Sequence, residues 1–503
     1  MPKLENIQDR ETLQQAALLL EKTVIRLHKE NAKLRAENAR LRGLDVDPQM
    51  EIELLREQLA AMQQKVFGAS SEKRPYTRDD SSAEKEKPRR GHGPRSQPDL
   101  PIEVITHTLE EEDRTCSICG QVLVEMGDQA EESEEITVVG VEYKILKHRR
   151  QKYRCRCNEQ VLTAPGPVKL IGGGRYSIDF AVAVAEGKYL DHLPLERQVR
   201  AMERAGLHVD SQTLWDQIQA LAKHLEPTYE ALCSKVLDSG VVYADETFWR
   251  NHENSNTSKW WTWCVVSDEI AAYRILRNRS QKAAEEVLGG FEGVVMTVGY
   301  GAYQALQRDG PNLQLAHCWA HVRRKFLEAE DAYPELSQHA VGQIGELFKI
   351  EREIPAPSLG ATDDEREATL DLRRELRKER SKPIVDELLK WALESRSAVL
   401  PKSKMGNAIA YMLKLWKGLT HFLDDPRIPI DNNAAERALR GVVVGRKNHY
   451  GSRSKRGTEV AALFYTVFET AKLSQVDPRT YVTQAAVRAI HDPGAVTLPS
   501  DLR

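Results

Sequence analysis

The sequence predicts a multidomain α/β protein, and three observations support this. The chain has 503 residues, which is too long for one hydrophobic core at about 150 residues per domain. Leucine recurs every seventh position near the N-terminus, and four cysteines follow in two close pairs. From residue 240 onward, short apolar runs typical of strands alternate with helical patterns. We therefore expect several units in series.

Composition limits where this chain works. The hydrophobic fraction of 41% and the charged fraction of 29% are typical of globular protein, and no apolar run approaches the ~18 residues of a membrane span. Without a signal-peptide pattern, we expect a cytoplasmic protein with no membrane contact. Seven cysteines then favour thiols or metal ligands over disulfides. The net charge of -3 gives no general attraction to nucleic acid, so local basic stretches must supply any.

Residues 1–67 predict a leucine-zipper coiled coil. Its seam consists of five leucines seven residues apart, at Leu13, Leu20, Leu27, Leu34 and Leu41. Asn31 and Asn38 fall at the other core position, where asparagine fixes register and favours a parallel dimer. The alternative is a single amphipathic helix that packs on its own domain. Residues 68–100 almost lack apolar side chains and predict a disordered linker.

Residues 101–172 predict a zinc-binding domain. Two cysteine pairs flank strand-like segments, at Cys116, Cys119, Cys155 and Cys157. Four thiolates around one tetrahedral Zn²⁺, as in a zinc ribbon, suit this pattern, although the second pair is tighter than usual and four free cysteines are the alternative. The basic stretch from Lys144 to Arg156 would then form a DNA-facing surface.

Residues 173–235 predict a helical DNA-binding region. A helix, a turn at residues 205–207 and a second helix with Asp210 or Ser211 as N-cap have helix-turn-helix spacing. Gln212 and Thr213 stand near the start of the second helix, where base edges would be read. Many helical hairpins share this pattern without binding DNA.

The region 236–330 carries the strand patterns of a mixed sheet. Three adjacent strands, a helix, a strand, a helix and a fifth strand match the ribonuclease-H-like arrangement. That arrangement carries an acid in the middle of its first strand, where Asp245 follows an apolar run. A second acid normally ends the fourth strand, but Val298 stands there.

A third acid comes from a late helix in that arrangement, and the segment 426–503 supplies Glu436. Asp431 or Asn432 is the candidate N-cap. Residues 331–425, between the two parts, have apolar residues at three- and four-residue steps and predict an all-helical insertion. Such acids would bind two Mg²⁺ ions about 4 Å apart, which assist in-line displacement at a phosphate.

Two basic stretches are candidate phosphate contacts. The stronger one follows Glu436, lacks acids and contains Arg446, Lys447, Arg453, Lys455 and Arg456. The other begins a helix after the fifth strand with Arg323, Arg324 and Lys325, where phosphate contact and charge balance near the carboxylates both remain open.

The stretch "HCWAH" contains Cys318 and His321 at the spacing of a metal pair. No two further ligands stand nearby in sequence, so a packed strand–helix junction is favoured over a metal site.

Several long motifs occur in order along the chain: "CSICG", "KYRC", "KYLDHLPLERQ", "ADET", "GYGAY", "HCWAHVRRKF", "IDNNAAERALRG", "GRKN" and "TAKLSQVDPRTYV". In these motifs the chain resembles DDE transposases of the insertion-sequence-66 family, over essentially its whole length. The resemblance implies a zipper, a zinc finger, a helical DNA-binding region and a catalytic domain with a helical insertion. It also implies that Asp245 and Glu436 belong to the catalytic triad, with Mg²⁺ or Mn²⁺ as cofactor.

The family pattern has "TDGY" where this sequence has "TVGY", so Val298 replaces the second aspartate. Valine can neither bind a metal nor accept a proton, and we hypothesise that cleavage and joining are impaired. Natural decay and a single deliberate or recent change both fit, and the otherwise intact motifs favour the single change.

The resulting interpretation is a bacterial transposase that binds terminal inverted repeats and target DNA and acts as a homodimer or larger oligomer. The resemblance also implies accessory proteins from the same element, and the DNA partner implies association with the nucleoid. One alternative is an inactive relative that occupies the element ends and represses movement. Another is a zinc-dependent regulator with a scaffold α/β domain, in which Asp245 and Glu436 need not approach each other.

Overall fold

The computed structural model describes residues 100–503, except 140, 141, 158, 254–257, 311 and 356–360. The predicted leucine zipper and nearly all of the predicted linker lie outside the described residues. Two compact units divide the described chain. The larger contains residues 100–321, Ile350–Glu379 and Leu415–Arg503, and the smaller contains Val322–Lys349 and Arg380–Lys414.

A small sheet opens the larger unit. Its strands are β1 (Ile102–His107), β2 (Val124–Val139), β3 (Glu142–Arg154) and β4 (Val161–Thr163). The order is β1-β3-β2, with β4 also on β3, and β2 and β3 form a long antiparallel hairpin. Ile136 and Ile145 pair across this hairpin and are buried in the main core, which anchors one end of it.

Three helices follow, namely α1 (Ile178–Tyr189), α2 (Leu195–Arg204) and α3 (Ser211–Lys235). The Asp210 side chain caps α3 by accepting a hydrogen bond from the backbone nitrogen of Thr213 at 2.6 Å. Gly206 turns the chain between α2 and α3 with a φ of 82°, a conformation that favours glycine. The apolar residues of α1 and α3 join the main core.

The main sheet has five strands: β5 (Val241–Asn251), β6 (Ser258–Val266), β7 (Ala271–Leu276), β8 (Gly293–Thr297) and β9 (Leu313–His317). The order is β7-β6-β5-β8-β9. Strands β5, β6 and β7 are antiparallel neighbours, whereas β8 and β9 run parallel to β5. The parallel connections use α4 (Gln281–Leu288) and α5 (Gly301–Asp309). The predicted mixed α/β class is confirmed.

Helices fill the chain between β9 and residue 420: α6 (Trp319–Leu327), α7 (Pro334–Glu353), α8 (Asp363–Leu376), α9 (Lys382–Ala398), α10 (Lys404–Lys414) and α11 (Trp416–Thr420). In the smaller unit the rings of Phe326 and Trp391 pack edge to face at 5.8 Å. In the larger unit the buried Arg377 guanidinium donates to Glu351 at 2.6 and 2.9 Å, so its charge is paired.

Three further helices complete the larger unit: α12 (Asn433–His449), α13 (Lys455–Leu473) and α14 (Pro478–His491). Helix α12 is fixed to the sheet where the Tyr273 hydroxyl donates to the Ala438 carbonyl at 2.8 Å. Helix α13 contributes Phe464 and Phe468 to the core.

Candidate active site

Asp245 lies in the middle of β5, where the apolar run from Val241 to Ala244 forms the buried start of the strand. Its Oδ1 accepts a hydrogen bond from the Glu246 backbone nitrogen at 2.8 Å. Burial raises the pKa of Asp245 to about 7, and the negative charges of Glu246 and Glu436 add to the rise. Asp245 and Glu436 therefore interact electrostatically.

Val298 follows the last residue of β8. The parallel register pairs Tyr243 with Met296, and two residues further on the same register would bring Asp245 opposite Val298. Gly299 continues with a φ of 85°, and its backbone nitrogen donates to the Thr297 hydroxyl at 3.2 Å. The half-exposed Val298 side chain is thus at the strand end where the sequence motif expects an acid.

Glu436 lies in the first turn of α12. The Asn432 side chain ties the start of this helix to β5 by donating to the Ala244 carbonyl at 3.0 Å. Asn432 does not cap the helix with its side chain. Asp431, the residue before it, accepts a hydrogen bond from the Asn433 backbone nitrogen at 2.9 Å with its Oδ1. One Glu436 oxygen, Oε1, is buried without a hydrogen-bond partner.

Cys318 and His321 lie beside Glu436, which the sequence prediction missed. The potential ligand atoms of the three residues lie within 4.8 Å of one another. His321 Nδ1 is 3.3 Å from Cys318 Sγ and 3.5 Å from Glu436 Oε1. Glu436, the third potential ligand, is far from Cys318 and His321 in the sequence, so sequence spacing could not reveal it.

Glu246 is another residue that sequence reasoning missed. Its buried carboxylate accepts from Arg279 Nε at 2.6 Å and from the Tyr303 hydroxyl at 2.7 Å. The Arg279 guanidinium stacks on the Tyr300 ring at 3.6 Å. The motifs "ADET" and "GYGAY" thus meet in the fold. The polar residues within these two motifs were the only sign in the sequence that Glu246 has a role.

The four predicted zinc ligands converge. Their sulfur atoms all lie within 4.8 Å of one another. Cys116 and Cys157 Sγ are 3.8 Å apart, about the edge of a tetrahedron with ~2.3 Å bonds to zinc. Gly120, with a φ of 71°, closes the turn after Cys119, and its backbone nitrogen donates to the Cys116 carbonyl at 2.9 Å. The sulfur atoms of Cys119 and Cys155 lie closer, at 2.9 Å. The set of four converging thiols fits one structural Zn²⁺.

A family model described as "Transposase IS66 family" matches residues 173–460, more than half of the chain. The chain belongs to the IS66 transposase family. A second model, "zinc-finger binding domain of transposase IS66", matches residues 113–158 and covers the four cysteines.

Relatives from Sinorhizobium fredii (strain NBRC 101917 / NGR234) agree with this membership. "Uncharacterized protein y4jD" is 30% identical over 401 residues, which cover 76% of this chain and 76% of that protein. "Uncharacterized protein y4qI" is 30% identical over 422 residues, with coverages of 80% and 76%.

IS66 transposase membership implies DNA binding and, at the level of the family, a DNA-cleaving enzyme. At the start of α3, Gln212 is exposed and donates to Asp216 at 2.8 Å, while Thr213 is half-buried. In the smaller unit, Arg324 is exposed, whereas Arg323 and Lys325 are half-buried. Among the described residues, no helix is both long and apolar enough to cross a membrane.

The basic stretch from Arg446 to Arg456 needs a correction. Arg446 is buried on α12, donates to the Thr247 hydroxyl at 3.0 Å and stacks on the Phe248 ring at 3.6 Å. A guanidinium held in this way is not presented to solvent, so we do not assign a phosphate contact to Arg446. Helix α12 extends to His449 and therefore includes the first residues of this stretch.

The remaining members of that stretch differ in their pairing. Lys447 and Arg453 are exposed. Lys455 lies 3.6 Å from Glu459, and Arg456 lies 2.7 Å from Glu226.

The basic stretch from Lys144 to Arg156 is partly paired with acidic neighbours in the small sheet. Lys144 pairs with Glu103 on β1, and Arg150 pairs with Glu131 on β2. The partner strand β2 is acidic there, with Glu131, Glu132, Glu134 and Glu135 in register with β3. These ion pairs lower the net positive charge of β3, and the DNA-facing surface stays a prediction.

Proposed function

We propose that this chain is a transposase that binds the terminal inverted repeats of a bacterial insertion sequence and is built for DNA cleavage and strand transfer. The observation that carries the proposal is that the fold joins the two elements that bear the carboxylates: the Asn432 side chain, at the start of the Glu436 helix, donates to the carbonyl of Ala244, next to Asp245, at 3.0 Å. Burial is the main cause that raises the pKa of Asp245, and the charge of Glu436 adds to it, so a bound cation would favour the ionised carboxylates. Glu436 Oε1 has no hydrogen-bond partner. The strand order of the main sheet supports a ribonuclease-H-like fold.

Asp245 and Glu436 would hold Mg²⁺ or Mn²⁺, which supplies charge stabilisation at the DNA phosphate. The expected reaction is hydrolysis at the 3′ ends of the element, followed by attack of the freed hydroxyl on target DNA. Glu246 is a positioning residue, since its bonds to Arg279 and Tyr303 fix the strand that carries Asp245. Val298 offers no oxygen to a cation, and catalysis is accordingly impaired.

DNA contact is assigned to basic and polar groups that the structure leaves exposed or half-buried. We propose that Lys447, Arg453 and Arg324 contact phosphates, with Lys455 and Arg456 in support, and that Gln212 and Thr213 read bases. The predicted zipper would join two chains, so that one bound element end raises the effective concentration of the other. Accessory proteins and a location at the nucleoid belong to the same proposal.

The deciding variant is Val298→Asp. We expect Mg²⁺-dependent nicking of element ends to rise on the order of 100-fold or more, because a metal ligand contributes several kcal/mol to the transition state. Val298→Asn is the matched control, because asparagine has the size of aspartate without its charge. Its nicking activity should remain close to that of the original chain. Radiolabelled end DNA and a gel assay for the nicked strand give the readout.

A second function, a DNA-binding relative that occupies the ends without cutting, is favoured by Val298 itself. The same samples separate the two in a binding assay. Equal cleavage by the original chain and Val298→Asp would refute impairment. Specific binding by all three chains without cleavage by any of them would support the second function.

A further inference from the structure

The cluster of Cys318, His321 and Glu436 has the composition of a site for a transition metal. A thiol, an imidazole and a carboxylate each offer one ligand atom, and these atoms lie within 4.8 Å of one another. All three residue types bind Zn²⁺ and related ions. Mg²⁺ is a hard cation that takes oxygen ligands and avoids sulfur.

The cluster is held in place by the fold. Cys318 is 2% exposed, and its sulfur accepts a hydrogen bond from the Asn432 backbone nitrogen at 3.3 Å. The next residue, Trp319, donates its backbone nitrogen to the Ile430 carbonyl at 2.9 Å. The chain around Cys318 is therefore tied to the segment that leads into the Glu436 helix.

Glu436 Oε1 is the second observation that points to a ligand. It is buried without a hydrogen-bond partner, and its 3.5 Å separation from His321 Nδ1 is too long for a good hydrogen bond. A buried carboxylate oxygen without a hydrogen bond is costly. An ion bound between the sulfur, the imidazole and the carboxylate would satisfy this oxygen.

We propose that Cys318, His321 and Glu436 bind one ion of the Zn²⁺ class beside Asp245. Three protein ligands leave a fourth position for water or a substrate oxygen, as in catalytic rather than structural zinc sites. The site does not depend on a carboxylate oxygen at position 298, which Val298 cannot supply. This inference goes beyond the proposed function. The site shares Glu436 with the proposed Mg²⁺ site, but metal binding to it does not require DNA cleavage or strand transfer.

The test is a Co²⁺ titration of the full chain, purified free of metal. We expect the ribbon and the proposed site to bind one equivalent each, and both give thiolate-to-cobalt charge-transfer absorption. Cys318→Ser should lose one of the two equivalents, and excess Mg²⁺ should not displace it from the original chain. Glu436→Gln, which keeps shape and removes the charge, should weaken the same equivalent at least tenfold.

Two controls assign the signals. Cys264→Ser changes another buried cysteine, outside the cluster, and should leave both equivalents. Cys119→Ser should remove the ribbon's equivalent alone. One equivalent in the original chain, or an unchanged count in both Cys318→Ser and Glu436→Gln, would overturn the proposal. The Val298→Asp cleavage result stands or fails independently, since it is measured in Mg²⁺.

Discussion

Asp245 and Glu246 are neighbours on β5, and the strand pleat turns their side chains to opposite faces of the sheet. Glu246 meets Arg279 and Tyr303, which satisfy its charge. Asp245 accepts a backbone hydrogen bond and shares its surroundings with Glu436. One carboxylate is therefore a fixed part of the structure, and the other is available for a cation.

This difference predicts how stability depends on pH. The pKa of Asp245 in the folded chain, about 7, lies above the ordinary 3.8, so the folded chain retains a proton that the unfolded chain has lost. Stability should fall as pH rises from about 4 to about 7. Asp245→Asn removes this cost and should stabilise the metal-free protein at pH 8 by roughly 1 to 3 kcal/mol.

Thermal unfolding with a chelator present in every sample measures this effect. Asp268→Asn, an exposed change in the turn between β6 and β7, is the control and should alter stability by less than about 0.5 kcal/mol. An Asp245→Asn chain that is less stable than the original at pH 8 would contradict the electrostatic account.

The sequence predicted those site residues that a local pattern marks, and it missed or misplaced the others. Asp245 was visible because an apolar run precedes it in a strand. Arg446 was misread as a surface charge, although it follows Leu439 and Val442 at the spacing of one buried helix face. The run of basic residues hid that periodicity. The contact of Cys318 and His321 with Glu436 depends on tertiary structure alone.

At the scale of elements, the edge strand β7 shows how α13 protects the main sheet. The backbone nitrogens of Ala271 and Tyr273 donate to the Thr470 and Thr466 hydroxyls at 3.2 and 3.0 Å. A helix cannot extend a sheet with its backbone, so two side chains satisfy the strand instead. Helix α13 thereby covers the edge of β7, which would otherwise be open to pairing with a strand of another chain.

Thr466→Val should destabilise the protein by about 1 to 3 kcal/mol, because it keeps the shape and leaves the Tyr273 backbone nitrogen buried without an acceptor. Thr466→Ser retains the hydroxyl and is the matched control, with a smaller loss. Urea denaturation reports the change as a shift of midpoint at constant slope. A loss in Thr466→Ser with little or no loss in Thr466→Val would mean that the methyl group, not the hydrogen bond, supplies the stability.

The order of strands and helices in the main sheet was predictable because each strand carries its own apolar run. Which elements pair with each other was harder to predict from the sequence. Strand β2 is acidic and strand β3 is basic, and only the hairpin register makes their charges partners. Local periodicity specifies an element, whereas its charge balance depends on which neighbour it meets.

At the scale of the whole molecule, the β2–β3 hairpin belongs to two cores. One end packs Ile136 and Ile145 into the main core. The other end belongs to a small cluster around the cysteines: Leu109, Cys116, Leu123, Tyr153, Cys155 and Ala164. So few apolar side chains cannot support a stable fold alone, and we infer that zinc holds this end.

Removing zinc should therefore unfold the hairpin at one end only. The amides of Cys116 and Cys155 donate to the Gln121 and Gln160 carbonyls within the cysteine turns and should lose protection from hydrogen exchange. The Ile145 amide donates to the Pro101 carbonyl at 2.7 Å beside the main core and should keep its protection. Hydrogen exchange with mass spectrometry, with and without a chelator, measures both. Cys119→Ser should give the same pattern without chelator and should respond no further when it is added. Loss of protection along the entire hairpin would instead mean that zinc stabilises the main core as well, because the two ends would then open as one cooperative unit.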